Sequence, residues 1–246
     1  MSGMIYQAAA GALLQQMRLD VLSNNLANLN TVGFKAEKPV FRVAEAAQEQ
    51  SVHQTATAAL SPYSPPMEQI VDFSAGALQR TGNTLDTAIV GSGFFEVLTD
   101  NGSQYTRSGN FTVNADGLLS TADGWPVAGE GGTIAIEGSR VEIGADGAVV
   151  VDGNSVGTLK VVDFARPYQL QQIGQGRFIT KRTDVNAEAG VNFSISQGYV
   201  EISNVDAIRT MTELIETMRA FESYQRVIRN ADEALGKTVN DVGRSV

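Results

Sequence analysis

The stretch SNNLANLN, Ser23 to Asn30, sets two signals against each other. Its leucines, Leu26 and Leu29, continue from Leu22 at the spacing of one helix face. Yet four of its eight residues are asparagine, and each costs about 0.6 kcal/mol in a helix relative to alanine. Ser23 and the four asparagines together weaken an isolated helix by ~2–3 kcal/mol. A helix written this way has to draw its stability from packing against partners. Asparagine allows that without burying charge, because its amide both donates and accepts. A buried one can also fix the register of a coiled coil. A plainer reading fits the end of the stretch. Asn28 and Asn30 precede Gly33, which can take the left-handed conformation that closes helices. That reading leaves Asn24 and Asn25 unexplained.

Outward from this stretch, residues 3–31 read as one helix. Apolar residues fall at Ile5, Ala8, Ala12, Leu19, Leu22, Leu26 and Leu29, in steps of three and four, with Gln15 the one interruption. That is a heptad seam. The arm holds only two charges, Arg18 and Asp20, fewer than a solvated helix carries, and Ala8–Ala12 is small enough to let another backbone approach. The far end of the chain answers it. Ala207, Met211, Leu214, Met218, Phe221, Gln225, Ile228, Asp232, Leu235, Val239 and Val242 form a second three-four series, nine of eleven apolar. A helix over 206–240 would run roughly 50 Å, too long for one face of a small domain. Asp206 stands where a residue would cap that helix and oppose its dipole. Glu222/Arg226 and Glu233/Lys237 can pair along its outer face.

Between the arms the pattern changes. Residues 33–76 read as an extended connector, turning at Gly33 and ending proline-rich. Residues 77–204 carry Asn101-Gly102, Asp116-Gly117, Asp123-Gly124, Asp146-Gly147 and Asp152-Gly153, dipeptides suited to tight hairpin turns. Short apolar or alternating runs such as FFEVL and TLKVVDF lie between them. The expected fold class is α+β. Residues 1–32 and 205–246 form a coiled-coil helical domain, 33–76 the connector, and 77–204 an inserted domain of short antiparallel strands.

The chain has 246 residues, a formal charge of −9, no cysteine and one histidine, His53. The charge argues against nucleic acid and against an anionic membrane surface. Missing cysteine excludes disulfides and thiolate chemistry. No apolar run is long enough to span a bilayer. The earliest cation is Arg18, so no basic leader region precedes an apolar one, and a cleaved secretory signal is not expected. Gly91–Glu96 (GSGFFE) lacks the third glycine of a dinucleotide loop, and Gly129–Gly132 (GEGG) lacks the Lys of a phosphate loop. The Asp-Gly pairs lack the closing glutamate of a calcium loop. His53 reads as a solvated loop residue. No catalytic residue, cofactor, metal or small-molecule substrate is expected.

The two ends carry a resemblance. LDVLSNNLANLNTVGFKAEKPVF (Leu19 to Phe41) resembles the amino-terminal signature of bacterial flagellar rod and hook proteins. The run from Gly198 to Gly243, beginning GYVEISNVDAIRTM, resembles their carboxy-terminal one. GNTLDTAIVGSGFFEVLTDNGSQYTRSGNFTVNADGLLSTADGWPV resembles their shared β domain. The short connector and the stretch TLKVVDFARPYQLQQIGQGRF are more similar to proximal-rod than to distal-rod members. The resemblance implies a rod subunit whose terminal helices build a tube around an export channel, with the β domain outside. It further implies export by the flagellar type III apparatus, a position across the periplasm, and other rod proteins and further copies of itself as partners.

The expected assembly residues lie on the seams: Leu19, Leu22, Leu26, Leu29, Leu214, Met218, Phe221 and Ile228. Asn24, Asn25, Asn28, Gly33, Phe34, Asn204 and Asp206 match the signatures and join them. Packing of one arm on the other would use the same seams. A β-rich binding module on a coiled-coil tether is the alternative class, and it would close into discrete oligomers instead of growing.

Overall fold

The computed structural model describes residues 2–41, 67–181 and 186–243. They fall into two compact units. One gathers Met1–Ala27, Glu37–Ile70 and Asp206–Val246, the other Asn28–Ala36 and Val71–Val205. The fold class is α+β: two terminal helices and many short antiparallel strands. His53 lies outside the described residues.

In the helical unit, α1 spans Ser2–Ala27 and α2 spans Ala207–Gly243. Asp206 caps α2 as expected: the Arg209 N–H donates to its Oδ1 at 3.0 Å. Arg209 pairs with Glu213 one turn on at 3.0 Å. The α1 helix stops at Ala27, short of the expected residue 31, so Asn30 does not end it. Asn28 begins the turn instead. Its carbonyl accepts from the Thr31 N–H and its Oδ1 from the Thr31 hydroxyl. The connector is not featureless. Strands β1 (Glu37–Phe41) and β2 (Met67–Val71) pair with each other.

The β unit is built on a six-stranded sheet in the order 170–174, 177–180, 102–106, 94–99, 161–163, 188–189. Every described ladder with a resolved register is antiparallel, Phe94 facing Val162 and Phe95 facing Val161 across one of them. Successive side chains on a strand point to opposite faces, and this sheet is covered on both. Phe94, Val162, Phe164, Leu170 and Phe178 form one hydrophobic cluster. Phe95 and Val161 join Phe111, Leu119, Val127 and Leu159 in the other. The run FFEVL, apolar but for Glu96, is what a strand buried on both faces requires, and Glu96 is buried against Lys160 at 2.8 Å. Each of the five turn dipeptides carries its glycine at positive φ. At Asp152-Gly153 both residues do, at 49° and 89°, which is the twist of a type I′ hairpin. The glycines of GSGFFE serve the turn between strands 87–91 and 94–99, and those of GEGG the turn between 128–129 and 132–133.

Candidate assembly surfaces

The two helices pack against each other within their unit, and burial shows which columns face inward. On α1, Ala8, Ala12, Val21 and Leu22 are buried, and Ile5, Gln15, Leu19 and Leu26 half-buried. On α2, five residues of the expected seam are turned inward: Ala207, Leu214, Phe221, Ile228 and Leu235 are half-buried. The side chains of Val239 and Val242 lie outside those described, and the remaining four are not turned inward. Met211, Met218, Gln225 and Asp232 are exposed. Their inward places are taken by Thr210, Thr217, Tyr224 and Ala231, one residue earlier. Thr217 is 2 % exposed. Its hydroxyl donates to the Glu213 carbonyl at 2.6 Å, which lets a threonine be buried without an unpaired group. Met218, expected on the assembly seam, faces outward in the subunit.

The outward turn of those residues leaves an apolar stripe on α2. Ile208, Met211, Ile215 and Met218 follow in steps of three, four and three, all exposed, Ile208 to 81 %. On α1 the exposed residues are nearly uncharged, with Tyr6, Ala9, Leu13 and Gln16 in three-four steps. A groove of about 420 Å³ runs between the helices, lined by Ala9, Ala12, Leu13, Phe221, Gln225 and Ile228 among others.

The asparagines divide by role. Asn25 is 5 % exposed and grips the backbone of β1. Its Nδ2 donates to the Glu37 carbonyl at 2.8 Å, and its Oδ1 accepts from the Glu37 N–H at 2.9 Å. The side-chain amide thus pairs with one residue as a neighbouring strand would, inside its own chain. Asn24 is exposed.

In the β unit, Asn28 and Leu29 are half-buried, and Gly33 and Phe34 buried. Gly33 has φ 70°, and a side chain there would collide with the backbone of Arg107 and Ser108. Asn204 accepts from the Ala36 N–H at 2.8 Å and donates to the Asp72 carbonyl at 2.8 Å. Beside it stands a cluster that sequence reasoning missed. Lys35 Nζ lies 2.6 Å from Glu201 Oε1, and Arg107 Nη1 3.4 Å from Glu201 Oε2. Lys35 and Glu201 are each 1 % exposed. Lys35 also donates to the Ser74 carbonyl at 2.7 Å, and the Gly76 N–H to Glu201 at 2.8 Å. Arg107 forks onto the carbonyls of Ile89 and Gly91 and stacks over Phe94. Burial pushes the pKa of Lys35 down against the opposing pull of Glu201, and lowers that of Arg107 in the same way. Among the described residues no group of three His, Asp or Glu gathers as a metal site, and no helix is long and apolar enough to cross a membrane.

Three family descriptions match the chain: flagella basal body rod protein over residues 5–35, the flagellar hook protein FlgE/F/G D1 domain over 88–151, and the flagellar basal body rod FlgEFG protein C-terminal region over 196–241. The flagellar basal-body rod protein FlgG of Bacillus subtilis is 34 % identical over 96 % of this chain and 97 % of its own. The chain belongs to the flagellar basal-body rod protein family. The rod proteins FlgF of Rhizobium meliloti and of Caulobacter vibrioides are 33 % and 34 % identical, covering 98 % of both chains in the first case and 99 % in the second. This is a structural rod subunit of the flagellar basal body. The amino-terminal rod match covers α1 from Ile5 onward and runs on to Lys35, and the carboxy-terminal one takes in Glu201, Asn204, Asp206 and most of α2. The charged cluster therefore joins the two terminal matches, with Arg107 from the match between them. Each of the three residues lies in one of the stretches that carry the resemblance, but nothing in those stretches pairs them.

Proposed function

We propose that the chain is a FlgF-like proximal-rod subunit that polymerises through its terminal helices. In this reading residues 1–32 and 205–246 act as the assembly domain, 33–76 as connector and 77–204 as the outer domain. The observation that carries it is the unpartnered stripe Ile208, Met211, Ile215 and Met218 on a helix whose other side already packs on α1. The nearly uncharged outer face of α1 offers such a stripe a complementary surface. Contact between two different faces is heterologous and adds subunits without closing. The helices then form coiled-coil contacts with sister molecules and with other rod proteins. Together they line a channel, and the rod crosses the periplasm carrying torque. Export proceeds through the flagellar type III apparatus.

The proximal assignment is supported by length: both FlgF relatives align over 98–99 % of both chains, and FlgG of Bacillus subtilis over 96–97 %. Complementation tests it. The gene should restore motility to a strain lacking FlgF and not to one lacking FlgG. The reverse outcome assigns the chain to the distal rod.

A further inference from the structure

Residues 28–36, the nine residues between α1 and β1 that belong to the β unit, are fastened unlike the rest of it. Phe34 is 2 % exposed, yet neither hydrophobic cluster contains it. The hydrogen bonds that hold the segment come largely from one place. The Gly33 N–H donates to the Glu201 carbonyl at 2.7 Å. Lys35 reaches the Glu201 carboxylate and the Ser74 carbonyl. The Ala36 N–H donates to Asn204, and the Ala36 carbonyl accepts from the Asp72 N–H at 2.8 Å. Glu201 itself stands on strand 199–201, which pairs with strand 78–80 independently of this segment.

The first half of the segment borders a cleft. Asn28, Thr31 and Val32 form one wall of a cleft of about 280 Å³, with Ser108, Asn110, Asp123 and Arg177 among the residues opposite. A segment seated on a hydrophobic cluster cannot leave without exposing it. A segment that belongs to neither cluster and is tied mainly by hydrogen bonds to Glu201, Ser74, Asn204 and Asp72 can. Local openings of this kind are drawn from regions with few buried apolar contacts.

We propose that residues 28–36 are a detachable strap, latched by Glu201 and Asn204, that opens as one segment while both hydrophobic clusters stay packed. Opening converts the strap into a tether of up to roughly 30 Å between α1 and the sheet. The latch closes only when the carboxy-terminal strand is in place, 166 positions further along the chain than Lys35. The strap rests on the geometry of the β unit and does not depend on which rod position the subunit takes.

Hydrogen–deuterium exchange on the full chain tests it, read by mass spectrometry in peptides covering 28–36, 94–99 and 119–127. Two variants open the latch by different means. Glu201→Gln removes the charge that faces Lys35. Gly33→Ala leaves every charge in place and blocks the close approach to Arg107 and Ser108. Both should speed exchange in 28–36 at least tenfold and leave 94–99 and 119–127 unchanged. If Gly33→Ala speeds all three peptides by a common factor, the segment is inseparable from the core and the strap does not exist. If Gly33→Ala leaves 28–36 as slow as before, the latch is not where we place it. Gly33→Ala decides the question even where Glu201→Gln unfolds the whole unit.

Discussion

The ring of Tyr224 on α2 occupies the place where Gly11 of α1 would carry a side chain: a first carbon there would stand 2.5 Å from Tyr224 Cε1. The small residues around Gly11 were expected to admit another backbone. They admit an aromatic ring. Gly11→Leu should therefore force the two helices apart or drive Tyr224 out, at a cost of about 1–3 kcal/mol. Thermal melting followed by helical circular dichroism checks this. A variant as stable as the parent would show that the ring has free room to move.

Asn25 should be the asparagine that the monomer needs. Asn25→Ala leaves the N–H and carbonyl of Glu37 without the partners they now have. The expected net loss is about 1–3 kcal/mol, although alanine is the better helix former. Denaturant unfolding monitored on the helices measures it.

Arg107→Lys keeps the charge and loses the fork. One ammonium cannot serve the carbonyls of Ile89 and Gly91 and the Glu201 carboxylate as the guanidinium does. The β unit should lose about 1–3 kcal/mol. Trp125, the only tryptophan of the chain, lies in that unit and reports its unfolding.

Acid should weaken the β unit partly through Asp163. Burial pushes this carboxyl up, but the Tyr168 hydroxyl at 2.8 Å, the Phe164 N–H at 2.9 Å, Ser92 and the charge of Arg166 outweigh it. The folded pKa lies below the 3.8 of a free aspartate. Between those two values the unfolded chain binds the proton and the folded one does not. The contribution is fully present above 3.8 and is lost as pH falls through the folded value. Asp163→Asn should flatten the dependence of unfolding free energy on pH from about pH 5 to about pH 2. An unchanged slope would remove Asp163 from the explanation.

What could be read in advance divides along physical lines. Local chemistry was legible. The Asp-Gly and Asn-Gly turns, the cap at Asp206 and the strand at FFEVL each depend on a few adjacent residues. The α2 seam was half legible. Hydrophobicity chose Met211 and Met218 over Thr210 and Thr217, and the helix chose the threonines. The cause lies outside α2: Gly11 of α1 leaves room for Tyr224, and turning Tyr224 inward brings Thr217 with it, its hydroxyl satisfied by the preceding turn. The partner of Asn25 was not legible for a similar reason. Nothing in SNNLANLN says that a strand of the same chain returns beside it at Glu37. The Lys35–Glu201–Arg107 cluster was out of reach, since charges brought together from three distant segments leave no periodic trace.

The central claim is that the outward stripe of α2 exists for sister subunits. Ile208→Asp with Ile215→Asp tests it most directly, because both side chains are exposed in the subunit. The double variant should keep the stability of the parent to within about 0.5 kcal/mol for each surface change. In cells lacking the native gene it should give no motility and no completed rod. Motile cells whose basal bodies contain the double variant would contradict the account.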